Sequence, residues 1–228
     1  MATAANALVI MAKAPDPGRV KTRLAPPLSL KEAAELAHAL LVDQLENLKR
    51  LVGPEVFVAY TPREAIGFFE ATVPERFSCF AQEGETLGER MSEAFRHLFA
   101  GGFRSVLLIG SDLPPIPLEF FEQAYDALER PDCDVVLGPS RDGGYYLVGM
   151  NRLVAEIFAG IIWSRDDVLA RTLEKLDELG VKHELLPTWY DIDTPDDLVR
   201  LRSLHDSQQS LMKNTLTLLQ ELRQRGKV

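Results

Sequence analysis

Cysteine is nearly absent from this sequence. Its two cysteines, Cys79 and Cys133, lie far apart, and neither belongs to a C-x-x-C pair. A disulfide framework and a cysteine zinc site are therefore excluded, and the low cysteine content is typical of a reducing compartment. The chain has 228 residues, of which 46% are hydrophobic. A chain of this length can bury a sizeable core without a disulfide or a structural metal.

Long hydrophobic runs are missing as well. No stretch approaches the roughly 20 apolar residues of a transmembrane helix, and the N-terminal segment lacks the basic and apolar regions of a signal peptide. We therefore expect a cytoplasmic protein without a membrane span. The length indicates one main domain, which we place at residues 1–204. Leucines at helical spacing between Leu211 and Leu222 predict a helical extension over residues 205–228.

Positive charge is scarce, with 25 lysines and arginines against 34 acidic residues and a formal net charge of −9. Such a surface repels a nucleic-acid backbone, so no nucleic-acid partner is expected. One segment departs from this balance, because Lys13, Arg19, Lys21 and Arg23 lie close together with Asp16 as the one acid among them. A positive loop on an acidic protein predicts that a small anionic ligand binds at that place.

Short apolar runs alternate with longer amphipathic segments along the chain. Ala7–Met11 and Val106–Ile109 are continuously apolar, which is typical of strands buried on both faces of a sheet. The segments between such runs have helical spacing, and Ser29 with Glu32 forms a capping box at the start of one helix. The alternation predicts an α/β fold with a mostly parallel sheet and helices on both faces.

The second half of the chain continues this pattern. Two apolar runs, Val135–Gly138 and Tyr145–Val148, predict a pair of strands joined by a turn. Asp167 follows Ser164 by three residues, and this spacing predicts a helix from Ser164 to about Leu179. A proline after Thr194 predicts the start of another helix.

The first candidate site is the loop that follows the first predicted strand. In open α/β sheets ligands bind beyond the carboxyl ends of the strands, where this loop lies. Lys13, Lys21 and Arg23 have the charge to neutralise a di- or triphosphate, and Gly18 allows backbone amides to approach it. The loop has neither the spacing of a Walker P-loop nor that of a G-x-G-x-x-G fingerprint. The alternative is a solvated basic loop stiffened by prolines.

Three carboxylates form the second candidate site. Asp112 follows the apolar strand Val106–Ile109, where a carboxylate is well placed to hold a hard divalent cation. Asp191 and Asp193 face the same side of an extended segment, and such a pair is costly without a cation. These residues predict an Mg²⁺ or Mn²⁺ site. For Asp112 a turn residue is the alternative, and the acids after Thr194 are assigned to capping of the next helix.

Two further segments carry glycines that bring a backbone close to a ligand. The first has two interpretations, a hairpin turn or a segment that binds the substrate with a tyrosine ring stacked on it. Its residues are Asp142, Gly143, Gly144 and Tyr145. The segment Gln82–Met91 opens a helix, and it either contacts the base or ribose of a nucleotide or merely connects two elements.

Taken together in this order, these segments resemble the bacterial glycosyltransferase-A-type transferases, the nucleotide-diphospho-sugar transferase family. The branch is glycosyltransferase-like and is similar to the guanylyltransferases of deazaflavin- and molybdenum-cofactor synthesis. The segments that carry the resemblance are Lys13–Leu24, Gln82–Met91, Gly110–Pro114, Gly138–Tyr146 and Asp191–Pro195.

The resemblance covers residues 8–204 and implies a single Rossmann-like domain of three α/β/α layers with a mixed sheet. It implies a nucleotide and phosphate role for Lys13, Lys21 and Arg23, to which Gly18, Gly88 and Arg90 are added as nucleotide-binding candidates. It implies a metal role for Asp112, whereas Asp191 and Asp193 match the Asp-x-Asp-Thr-Pro element of the guanylyltransferase relatives. Where glycosyltransferases usually carry Asp-x-Asp, Ser111-Asp112-Leu113 supplies one carboxylate.

The expected function is therefore that of a divalent-metal-dependent transferase with Lys13, Lys21 and Asp112 as catalytic residues. The donor is a nucleotide-sugar, which releases a nucleoside diphosphate, or a nucleoside triphosphate attacked at its α-phosphorus, which releases pyrophosphate. The second version corresponds to a guanylyltransferase-type enzyme acting on a phosphorylated small molecule. In both versions the metal and the basic loop stabilise the negative charge that grows on the leaving group. The rival is a non-catalytic nucleotide-binding regulatory protein, and the oligomeric state is open, with a homodimer included.

Overall fold

A computed structural model describes residues 5–201 and 210–227. Within these residues seven strands form one sheet in the order β3-β2-β1-β4-β6-β5-β7. Strand β6 runs antiparallel to β4 and β5, and the other neighbouring pairs are parallel. The strands are β1 Asn6–Lys13, β2 Glu55–Thr61, β3 Ser78–Ala81, β4 Ser105–Gly110, β5 Val135–Pro139, β6 Tyr145–Met150 and β7 His183–Leu185. The predicted mostly parallel, mixed sheet is confirmed.

Helices cover both faces of the sheet. Helices α1, α2 and α4 share one apolar cluster with the sheet, and α3 and α5 share the cluster on the opposite face. The helices of the described residues are α1 Leu30–Leu48, α2 Ile66–Thr72, α3 Leu87–Ala100, α4 Leu118–Glu129, α5 Val168–Glu178, α6 Pro195–Arg200 and α7 Lys213–Gln224. This arrangement is the expected three-layer α/β/α fold.

The continuous apolar character of β1 follows from its place in the centre of the sheet. Side chains alternate between the two faces of a strand, so Leu8 and Ile10 enter one cluster whereas Ala7 and Val9 enter the other. All four are fully buried. Because both faces are covered by helices, no position in the middle of β1 remains for a polar residue.

The start of α1 has the predicted capping box. The backbone N–H of Glu32 donates to Ser29 Oγ at 3.2 Å, and the Glu32 carboxylate accepts from the backbone N–H of Ser29 at 2.7 Å. At α6 the carboxylate of Asp197 likewise accepts from the backbone N–H of Thr194 at 2.8 Å. The predicted capping role of this acid is therefore confirmed.

The predicted helix start at Ser164 is wrong. Helix α5 begins at Val168, and Ser164 lies in the preceding loop with a left-handed φ of 64°. The carboxylate of Asp167 does not cap the helix but accepts from Arg171 Nε at 2.7 Å. The backbone of this loop packs against Gly143, whose missing side chain leaves room for the carbonyl oxygen of Asp166. Because of this tertiary packing, the helix begins about one turn later in the sequence than predicted.

The predicted C-terminal helix is α7, and it packs against α1. The buried carboxylate of Asp43 in α1 accepts hydrogen bonds from the backbone N–H groups of Asn214 and Thr215 at 3.0 and 2.9 Å. Side chains of α7, among them Leu219 and Leu222, enter a third apolar cluster. Residues 205–209 of the predicted extension lie outside the described part of the chain. Among the described residues no helix is long and apolar enough to cross a membrane.

Candidate active site

A cavity of about 360 Å³ opens at the carboxyl ends of β1, β2 and β4, and we call it the strand-end cavity. Parallel strands that end at one edge create this type of binding site. Several residues that were predicted for the site line it, namely Lys13, Arg90, Asp112, Tyr145, Asp191 and Asp193, together with Gln82 from the segment before α3. These residues are thus brought to one place from five distant parts of the sequence.

Lys21 lies beneath this cavity and not in it. Its side chain is fully buried, and Nζ donates to the backbone carbonyl of Asp112 and to the carboxylate of Asp193, each at 2.9 Å. A carboxylate oxygen of Asp112 lies 3.5 Å from the same nitrogen. Burial alone would lower the pKa of Lys21, but the charges of the two aspartates outweigh it and raise the pKa. Lys21 is therefore a permanent cation that holds two of the predicted metal ligands in position.

Nζ of Lys21 donates two hydrogen bonds to these residues, and its side chain is fully buried, so it is not exposed to a ligand in the cavity. A lysine on a loop was expected to reach the phosphates, but the left-handed backbone at Lys21, with φ of 48°, turns its side chain inward. A direct contact between Lys21 and a phosphate stays a prediction that this geometry disfavours. The signal that sequence reasoning lacked is the partner, since Asp193 is 172 residues away.

Asp191 carries a carboxylate in an environment of excess negative charge. Burial raises its pKa to about 6, and the neighbouring charge of Asp142 acts in the same direction. Ser140 Oγ donates to this carboxylate at 2.9 Å and partly offsets both effects. A cation at the strand-end cavity would favour the ionised form of Asp191.

The three predicted metal ligands differ in whether their carboxylate oxygens are available to bind a cation. Asp193 is engaged by Lys21, and Arg23 lies 3.9 Å away, whereas the side chain of Asp112 is 54% exposed. Within the described residues no group of three or more acidic, cysteine or histidine side chains is arranged to hold a metal ion. Mg²⁺ commonly binds to proteins through one or two carboxylates and completes its shell with substrate phosphates and water. Asp112 and Asp191 fit that type of site better than a complete protein cage.

The other basic residues of the loop, Lys13, Arg19 and Arg23, are exposed. Gly18 does not line the cavity, and its φ of +80° belongs to a turn in which the backbone N–H of Arg19 donates to the carbonyl of Asp16 at 3.0 Å. Arg23 is two-thirds exposed, so its guanidinium is accessible to an anion. Nucleotide contacts of both residues stay predictions.

Gly88 and Arg90 occupy the first turn of α3. A side chain at Gly88 would lie 2.9 Å from the carbonyl oxygen of Phe158 and 3.2 Å from the ring of Trp163, so this glycine is required for packing. Arg90 lines the strand-end cavity, and its Nε donates to the carbonyl of Gly84 at 3.0 Å. The structure thus gives Arg90 access to a ligand and gives Gly88 a close contact with the loop before α5.

The glycine pair between β5 and β6 forms the predicted turn. A side chain at Gly143, where φ is +89°, would lie 2.0 Å from the carbonyl oxygen of Asp166. The carboxylate of Asp142 accepts from the backbone N–H of Gly144 at 3.0 Å and is exposed. Tyr145 reaches the cavity with its ring, and burial raises the pKa of its hydroxyl. The hairpin interpretation is confirmed, and substrate binding by the same residues stays a prediction.

The family described as "uncharacterized protein conserved in bacteria (DUF2064)" matches residues 44–165, which is more than half of the chain. The chain belongs to this family. No curated protein matches it in sequence.

Solved structures extend the comparison. A crystal structure from Desulfovibrio desulfuricans G20, provisionally named a nucleotide-diphospho-sugar transferase, is 32% identical, covers 96% of this chain and 98% of its own, and has a TM-score of 0.83. A cytidylyltransferase from Leptospira borgpetersenii serovar Hardjo-bovis is 16% identical, covers 98% and 96%, and has a TM-score of 0.64. The manganese complex of Rv0371c from Mycobacterium tuberculosis H37Rv is 17% identical, covers 88% and 99%, and has a TM-score of 0.54.

These similarities confirm the resemblance to the nucleotide-diphospho-sugar transferases and the fold that it implies. The prediction of a transferase is confirmed at the level at which the Desulfovibrio desulfuricans G20 relative, 32% identical, is named.

Two contacts of this DUF2064 site had no signal in the sequence. Ser140 is expected only as part of a turn, and in the structure its Oγ donates to Asp191, because Ser140 and Trp189 form a parallel β-bridge that brings the two segments together. Gln82 belongs to the segment for which contact with a base or ribose is one alternative, and the sequence does not indicate that its Nε2 donates to the carbonyls of Ala59 and Ala12 at 2.7 and 3.3 Å. Both contacts join segments that are far apart in sequence, and no local pattern reports them.

Proposed function

We propose that this DUF2064 protein is a divalent-metal-dependent transferase that binds a nucleotide donor in the strand-end cavity and transfers a glycosyl or nucleotidyl group to a small-molecule acceptor. One observation carries the proposal: the cations Lys13 and Arg90 and the carboxylates Asp112 and Asp191 line the same cavity. A polyphosphate needs cationic partners, and a divalent metal that arrives with it needs carboxylate oxygens.

We assign the phosphates to Lys13 and Arg90, with Arg23 and the backbone at Gly18 as further contacts from the basic loop. Lys13 is exposed at the end of β1 and borders the cavity. Lys21 has a positioning role in this proposal, because it fixes Asp193 and the backbone of Asp112. Charge that grows on the leaving phosphate is then stabilised by groups already in place.

We assign the metal to Asp112 and Asp191, supported by Asp193. A divalent cation, when bound, would neutralise phosphate charge and orient the leaving group. The raised pKa of Asp191 supports this assignment, because burial, and after it the charge of Asp142, leaves the ionised carboxylate without full compensation. The manganese complex of Rv0371c gives a precedent for a divalent cation in this fold.

We assign contact with the nucleobase to Gln82, which lines the same cavity. Both amide protons of its side chain have carbonyl partners in β1 and β2, so the orientation of the amide is fixed. The Oε1 atom is left to accept a hydrogen bond from a base.

Since the two free cysteines fit a reducing environment, we place the protein in the cytoplasm.

The test is a turnover assay with nucleoside triphosphates and nucleotide-sugars against a broad panel of alcohol and phosphate acceptors. Pyrophosphate release with Mg²⁺ or Mn²⁺ would establish nucleotidyl transfer, and release of a nucleoside diphosphate would establish glycosyl transfer. In both cases chelation of the metal should abolish turnover. Nucleotide binding without turnover on the whole panel would contradict the proposal and favour a non-catalytic binding protein.

A further inference from the structure

A second cavity, of about 250 Å³, adjoins the strand-end cavity, and we call it the apolar cavity. Residues at the junction of the two cavities, among them Met11, Gly110 and Tyr145, line both. A reacting group held at the junction would therefore be in reach of both spaces. The apolar cavity lies between α3, β6 and the loop before α5.

The lining of this cavity offers little to a polar ligand. Its inner wall consists of the buried side chains Met91, Leu108, Val148 and Val168, and Trp163 contributes a further apolar surface. Asp142, Ser164 and Arg165 also line it and are exposed. Two tyrosines complete the lining: the hydroxyl of Tyr146 already donates to the carbonyl of Pro187 at 3.0 Å, and the ring of Tyr145 packs against Trp163. A sugar hydroxyl buried against the inner wall of Met91, Leu108, Val148 and Val168 would lack partners, and an unpaired buried polar group is strongly unfavourable.

One exposed apolar residue lines the apolar cavity, and a second is the sequence neighbour of a lining residue. Leu87 belongs to its lining and is 45% exposed, and Ile162, next to Trp163 in the loop, is 58% exposed. Large apolar side chains exposed around a concave site are typical of a ligand-binding surface. An occupant with an apolar body would cover Leu87.

Trp163 is held in place from several sides. Its ring packs edge-on against Tyr145 with a centroid distance of 6.4 Å and lies at the same distance from Phe158. Gly88 leaves the room that this ring occupies. The wall is therefore pre-formed, and it does not require a ligand to order it.

We infer that the apolar cavity binds the body of the acceptor and that this body is a compact hydrocarbon, an aromatic ring or a short branched chain, and not a sugar. The inference rests on the proposed function, because it places the acceptor next to the nucleotide. The volume is slightly below the range of about 300–1,000 Å³ usual for small-molecule sites, so the body is small. The nucleophilic oxygen of the acceptor lies at the junction, near Gly110, and Trp163 determines specificity.

The test is calorimetric titration with uncharged probes of defined polarity, namely phenylbutanol, geraniol and glucose, since a phosphate would report on Lys13 and Arg90 in the strand-end cavity. Wild-type protein should bind the two apolar alcohols with dissociation constants on the order of millimolar and should not bind glucose measurably. Trp163→Gln should weaken binding of the alcohols about tenfold, whereas Trp163→Phe should retain most of the affinity. Leu179→Gln is the matched control, because Leu179 is a 47% exposed leucine that lines neither cavity.

Tighter binding of glucose than of the alcohols would overturn the inference, as would unchanged alcohol binding in both Trp163 variants. Titration of the wild-type protein with nucleoside triphosphates separates the two proposals. Nucleotide binding without alcohol binding would count against the apolar acceptor alone. Alcohol binding without nucleotide binding would count against the proposed function.

Discussion

At the scale of single residues, Asp191 is a proposed metal ligand. In the metal-free protein its ionised carboxylate is in an unfavourable environment. Its carboxylate is largely buried near Asp142, and its pKa of about 6 lies well above that of an ordinary aspartate. The folded protein therefore binds the proton of Asp191 more tightly than the unfolded chain does. The stability that this proton supplies is complete below about pH 4 and is lost as the pH rises through 6.

We expect Asp191→Asn to stabilise the metal-free protein at pH 8 by about 2–3 kcal/mol, because the variant has no buried charge to keep ionised. Near pH 4, where the carboxyl is protonated in the folded and unfolded states, variant and wild type should differ little. Urea unfolding in the presence of a chelator at both pH values measures the difference. A variant that is less stable than wild type at pH 8 would show that the charge of Asp191 is compensated.

Lys21 gives the second residue-scale prediction. Lys21→Ala removes the cation that joins Asp193 to Asp112, and both carboxylates can rehydrate in part because they are exposed at the cavity. The expected loss of unfolding free energy is about 1–3 kcal/mol, below the range for a fully buried ion pair. Lys31→Ala, which removes an exposed cation 3.8 Å from Glu35, is the control and should change the stability by about 0.5 kcal/mol or less. A role in direct phosphate binding alone would leave the stability of Lys21→Ala unchanged.

At the scale of secondary-structure elements, the sequence predicts what depends on local patterns. The strands β1 and β4 follow from apolar runs, and α1 follows from its spacing and capping box. The start of α5 could not be predicted, because the packing of residues 164–167 against Gly143 decides it. The inward side chain of Lys21 had no local signal either, since its partners come from the ends of two other segments.

The contact between α1 and α7 gives an element-scale prediction. Asp43→Ala leaves the first N–H groups of α7 without the acceptor that now binds two of them. A capping carboxylate at a buried site contributes about 1–3 kcal/mol, and thermal or urea unfolding should show a loss of this size. Asp126→Ala, an exposed aspartate on α4, is the matched control. Equal stability of the two variants would mean that α7 does not depend on this cap.

At the scale of the whole molecule, α7 is connected to the candidate site through a shared apolar cluster. This cluster contains Leu24 and Leu28 from the segment after the basic loop and Ile192 from between the two aspartates. Leu219 and Leu222 of α7 pack into it. We therefore propose that the extension, residues 205–228, supports the domain of residues 1–204 and positions its ligand-binding segments.

The net charge of −9 sets a requirement on any polyphosphate ligand. The protein as a whole repels it, so binding depends on the local cations Lys13 and Arg90 and on a divalent metal at the carboxylates. Binding should weaken as salt screens these contacts. The metal dependence of nucleotide binding is consequently the property that the entire account predicts.

The most direct measurement is calorimetric titration of the protein with nucleoside triphosphates, with and without Mg²⁺, for wild type, Asp112→Asn and the control Asp126→Asn. We expect Mg²⁺-dependent binding to wild type and to the control, and a loss of about tenfold or more in Asp112→Asn, because a hard cation loses one negative ligand. Failure of the wild type to bind any triphosphate would contradict the account. Unchanged affinity and metal dependence in Asp112→Asn would remove Asp112 from the site.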